Sequence, residues 1–74
     1  MNLRRSRGSV LLARLGLRQA DIAMRCGKSR AAVEHWMTGR YRPRDDERLR
    51  LRDAYGIPIE SWIEEPNDSF AIMT

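Results

Sequence analysis

Gln19-Ala-Asp-Ile-Ala23-Met-Arg-Cys-Gly27-Lys-Ser29-Arg-Ala-Ala-Val33-Glu-His-Trp36 is the stretch on which the reading of the fold turns. Ile22, Ala23 and Cys26 recur at helical spacing and predict the inward face of a helix over 19–26. Gly27 supplies the positive φ of a left-handed stop. Ser29 is an N-cap residue type, so a second helix follows at once, with Val33, Trp36 and Met37 as its inward stripe and Gly39 closing it. Ala23 is small where two helices joined by so short a turn must cross closely.

Upstream, Leu11, Leu12 and Leu15 share one face of a first helix, capped by Ser9 and ended by Gly16. Met1 to Arg7 reads as a basic arm carrying Arg4, Arg5 and Arg7. Downstream, Arg40-Tyr41-Arg42-Pro43-Arg44 is a strongly basic loop. Asp45, Asp46 and Glu47 open a fourth helix, where acids suit the positive end of the dipole. Leu51, Ala54 and Tyr55 point inward from it, and Gly56 ends it. Pro58 begins a short fifth helix with Ile59, Trp62 and Ile63 as its face. Pro66-Asn67-Asp68 breaks the chain, and Ser69 to Thr74 alternates in a way that suits a short strand. The expected architecture is all-α: a compact five-helix bundle, with a short C-terminal strand as an option. It divides into a basic arm at 1–8, a helical domain at 9–65, and a tail at 66–74 that is a candidate dimer contact.

The 74 residues include one cysteine, Cys26, and one histidine, His35. An internal disulfide is therefore excluded, and no metal-ligand spacing is present. Among the usual supplements to a small core, self-association remains open. No apolar stretch approaches the roughly 20 residues that span a bilayer, and Gly8 to Leu17 is too interrupted for a signal peptide. A cytoplasmic protein is expected. Residues 1–44 carry eleven Lys or Arg against two Asp or Glu, whereas residues 45–74 carry three against eight. So uneven a distribution suits a polyanion on one face and a different contact on the other.

Beyond this chemistry there is a family likeness. The segment from Leu11 to Trp62 resembles the Cro and phage-repressor type of helix-turn-helix domain, the xenobiotic-response-element family. Leu17, Gln19, Ile22-Ala23, Gly27, Ser29, Val33, Trp36, Thr38-Gly39, Arg42-Pro43, Leu51, Ala54 and Gly56-Ile57 carry the resemblance, as an ordered set with its spacings. There are departures. Arg18 stands where that family usually has a Ser or Thr cap. Lys28 replaces an aliphatic residue in the turn, where its stem can lie over the core. Arg48 and Arg52 replace apolar residues in the fourth helix, where a subunit interface is one use for them.

The resemblance implies a recognition helix at about 29–38 lying in the major groove of double-stranded DNA. By the resemblance Arg30 stands at a base-contacting position; Ala31, Glu34 and His35 are the other base-contact candidates, with a phosphate as the alternative partner for His35 and smallness alone the alternative for Ala31. A guanidinium at Arg30 suits guanine O6 and N7; the alternative is an ordinary helical pair with Glu34. Glu34 suits a cytosine amine, and Ala31 a thymine methyl. Gln19, Ser29, Thr38, Arg40, Tyr41 and Arg42 are the phosphate candidates, Gln19 because it opens a helix. The arm arginines either enter a minor groove or form a solvated tail. Trp36 and Trp62 belong to apolar stripes and read as core.

The expected function is a sequence-specific transcriptional regulator, a repressor binding a palindromic operator as a homodimer. An antitoxin-like or adaptor module with a protein partner is the alternative. A sequence-neutral nucleoid protein is the third reading. No cofactor is implied. An enzyme is not expected, because no nucleophile–base pair, phosphate loop or metal cluster is present.

Overall fold

A computed structural model describes residues 5–66. Among the described residues there are four α-helices, α1 (Arg7–Arg14), α2 (Gln19–Cys26), α3 (Arg30–Thr38) and α4 (Asp45–Tyr55), followed by a single 3₁₀ turn at Ile59–Trp62. The expected fifth α-helix is that turn. Ser61 N donates to Pro58 O at 3.1 Å and Ile63 N to Glu60 O at 3.1 Å, and the Ser61 hydroxyl also donates to Pro58 O. These tight three-residue bonds close the element before an α-helical ladder begins. Ile63, expected inside, is 61% exposed. No strand forms among the described residues. The tail 69–74, where the sequence suggests one, lies outside them.

α1 begins earlier than Ser9. Ser6 is its N-cap: its Oγ accepts from Ser9 N at 3.1 Å, and Ser9 Oγ accepts in return from Ser6 N at 3.4 Å. This is a capping box in which a serine fills the place usually held by Glu or Gln. Arg7, read as part of the arm, is therefore the first helical residue. Leu12 is buried and Leu11 partly so, but Leu15 is the C-cap of α1 and is 41% exposed.

The core is Leu12, Ile22, Ala23, Cys26, Val33, Trp36, Leu51, Ile57 and Trp62. It draws on every helix, so the small domain closes around one apolar centre. α3 packs on α2 and α1, while α4 packs on α2 and on the 3₁₀ turn, which also meets α1. Among the described residues no helix is long and apolar enough to cross a membrane.

Candidate nucleic-acid interface

The joint between α2 and α3 is where the local sequence acts most directly. Gly27 adopts φ +68°, and Lys28 N closes the end of α2 by donating to Ala23 O at 2.9 Å. One residue later, Ser29 Oγ accepts from Ala32 N at 3.1 Å and starts α3. Two helices thus cross with only Gly27, Lys28 and Ser29 between them. Ile22 and Ala23 of one pack with Val33 and Trp36 of the other.

Packing that face inward leaves Arg30, Ala31 and Glu34 exposed and His35 half-buried. Arg30 and Glu34 form no ion pair. The His35 imidazole meets the Tyr41 ring edge-on, with centroids 4.9 Å apart and planes at 88°. That contact seats the start of the basic loop beside the end of α3, while Tyr41 stays 59% exposed. Thr38 Oγ1 donates to His35 O at 3.4 Å, within the last turn of its helix. Gln19 Nε2 lies 3.7 Å from Met37 Sδ, so the N-terminus of α2 stands next to the C-terminal part of α3.

Pro43 is fully buried, and its carbonyl accepts from Arg48 Nε at 2.8 Å. The loop is pinned there, and its neighbours Arg42 and Arg44 are exposed on either side. The ten proposed contact residues therefore come from three connected places: the start of α2, the outer side of α3, and the loop behind it.

The electrostatics separate two kinds of cation. Arg7 pairs with Glu64 at 3.3 Å, Lys28 with Glu47 at 2.8 Å, Arg48 with Asp45 at 3.8 Å, and Arg52 with Asp53 at 3.2 Å. Arg50 donates to Cys26 O at 2.7 Å and Arg5 to Met37 O at 3.0 Å. Arg25 lies over the Tyr55 ring at 5.6 Å. Arg48 and Arg52 thus turn back on their own helix and loop. Among the described residues, Arg14, Arg18, Arg30, Arg40, Arg42 and Arg44 have no such side-chain partner. Three of these six follow α3, one opens it, and one precedes α2.

Arg14, Arg18 and Arg44 are not among the contact residues expected from the sequence, and of these Arg18 and Arg44 flank α2 and the basic loop. Arg18 is the N-cap of α2 and makes no side-chain cap bond. The departure from a Ser or Thr cap was itself the signal: a position that gives up a stabilising cap for an exposed cation sits beside a helix N-terminus, where anions collect.

Cys26 faces the core and is 1% exposed. Burial raises its thiol pKa, with Arg50 and Arg25 pulling the other way. It is remote in character from the exposed side of α3, and the described residues contain no group of three metal-ligating side chains.

A tight glycine turn between crossed helices, with an open basic rim around the second, defines a helix-turn-helix of the DNA-binding class. A family model described as a helix-turn-helix domain matches residues 2–61, and the chain belongs to that family. No curated protein and no solved structure matches the chain.

Proposed function

We propose that this is a sequence-specific transcriptional regulator, a repressor that binds a palindromic operator as a homodimer. Residues 29–38 enter the major groove, where Arg30, Ala31, Glu34 and His35 meet base edges. Gln19, Ser29, Thr38, Arg40, Tyr41 and Arg42 hold the flanking phosphates, and Arg18 joins them. The observation that supports this most is the charge partition. Cations elsewhere are mostly tied to internal partners, whereas Arg30, Arg40 and Arg42 around α3 are exposed and unpaired. A polyanion is the partner that such a rim lacks.

One α3 covers only a few base pairs. Two copies about 34 Å apart read two half-sites across a dyad, which raises affinity and specificity together. The tail at 66–74 is the proposed dimer contact. Selection from a random duplex library at near-physiological salt tests the proposal. A palindromic motif is the expected product. Salt-sensitive binding without any preferred motif would replace it with a sequence-neutral role.

A second reading has its own observation. Leu17, Asp21, Met24, Arg25 and Tyr55 line an open groove of about 490 Å³ between α2 and α4, and Met24 is 81% exposed. Such a surface suits a protein partner, as the antitoxin-like or adaptor reading requires. Charge reversal at Arg30, Arg40 and Arg42 leaves that partner bound while abolishing DNA binding, which separates the two readings.

A further inference from the structure

We infer that Glu47 and Arg50 of α4 are positioning residues for the recognition helix: they grip the turn between α2 and α3 and fix the direction in which α3 leaves it. This rests on the DNA-binding reading for its consequence, and on geometry alone for the grip. The two residues are three apart and so share one face of α4. They hold the turn from both sides of Gly27. Arg50 Nη1 donates to Cys26 O at 2.7 Å, a carbonyl at the negative end of α2. Glu47 Oε2 holds Lys28 Nζ at 2.8 Å, with the Glu47 side chain only 10% exposed. The other Glu47 oxygen accepts from Arg44 N at 2.7 Å. One carboxylate therefore ties the loop, the start of α4 and the turn together.

α4 and α3 share the core through Leu51, Val33 and Trp36, but their backbones stand apart. No α3 residue has its Cα within 8 Å of an α4 Cα. The backbone influence of α4 on α3 passes through the turn and through the basic loop. Ser29, the cap of α3, directly follows Lys28, and Arg30 follows Ser29. A small pivot at Lys28 is carried straight to the base-contacting end of α3. Groove hydrogen bonds tolerate only tenths of an ångström, so the grip governs discrimination between sites. It has a second effect: Lys28 is withdrawn from the phosphates although it stands in the turn.

Glu47→Gln tests this, because the amide oxygen still accepts from Arg44 N while the ion pair is lost. Amide exchange in the free protein, at a temperature where circular dichroism shows it folded, is followed at Lys28, Ala32 and Val33 and compared with Val10 of α1. Exchange at the first three is expected to rise about tenfold over Val10. In parallel, the ratio of affinity for the selected duplex to that for random duplex is expected to fall about tenfold, with random-duplex affinity within about twofold. Lys28→Gln, at a more exposed position, gives the same pattern if Glu47→Gln folds poorly, and Lys28→Arg restores it. An equal rise at Val10 would show a purely global effect and overturn the inference, as would an unchanged ratio. If the native protein prefers no duplex, the regulator reading fails and the exchange contrast alone decides the grip.

Discussion

Gly8 of α1 lies against the face of the Trp62 indole, so closely that a Cβ built on Gly8 stands 2.4 Å from Cδ2 and 2.6 Å from Cε3. Trp62 is fully buried, and its ring cannot yield without disturbing the contact between α1 and the 3₁₀ turn. Glycine in a helix ordinarily costs about 1 kcal/mol against alanine. Here the sign reverses. Gly8→Ala is expected to destabilise the domain by about 1–3 kcal/mol through overpacking. For a domain of this size that lowers the melting temperature by roughly 4–8 °C per kcal/mol. A thermal melt followed by circular dichroism checks it, and an unchanged or raised midpoint would contradict the close packing.

Arg18 offers the opposite trade. It caps α2 without a side-chain bond. Arg18→Ser restores a capping oxygen and is expected to stabilise the fold by about 0.5–1 kcal/mol. It also removes one proposed phosphate contact, so DNA affinity falls and the slope of log K against log salt shrinks by about 1. Denaturant titration and binding across a salt series measure the two effects separately. A more stable variant with undiminished DNA affinity would take Arg18 out of the interface.

Glu47 gives the domain an acid-sensitive joint. Burial alone would raise its carboxyl pKa. The hydrogen bonds from Lys28 and Arg44 N, with the Lys28 charge, outweigh that and hold it below its ordinary value of 4.5. A carboxyl with a lowered folded pKa contributes stability that is fully present above the unfolded value. That contribution is lost as pH falls through the folded one. Stability should therefore drop on acidification below about pH 4.5, and Glu47→Gln should flatten part of that drop. Denaturant midpoints between pH 3 and pH 7, compared for the two proteins, provide the check.

The glycine stops were legible because each does a local job: Gly27, Gly39 and Gly56 all end helices at positive φ. The inward stripe of α2 and the two tryptophans were legible because helical spacing alone places them. The start of α1 was missed because Ser6 lies within a run of arginines, and the Ser6–Ser9 box uses a serine where Glu or Gln is the usual signature. The fifth helix shortened because a serine hydroxyl and three-residue bonds to Pro58 and Glu60 decide it, and helical spacing does not distinguish the two forms over four residues. Gly8 against Trp62, and Lys28 against Glu47, join residues far apart in the chain, so no local pattern announces them. In the candidate interface the residue types were visible from the start. Which cations are neutralised internally became visible only in three dimensions.

The most direct test of the central claim is position-by-position binding of the native protein and Arg30→Ala to the selected duplex and its single-base-pair variants. If α3 reads the groove, Arg30→Ala loses about 1–3 kcal/mol on the selected site and no longer discriminates at one position in each half-site. A loss spread evenly over all duplexes, or no loss, would contradict it and remove Arg30 from base recognition.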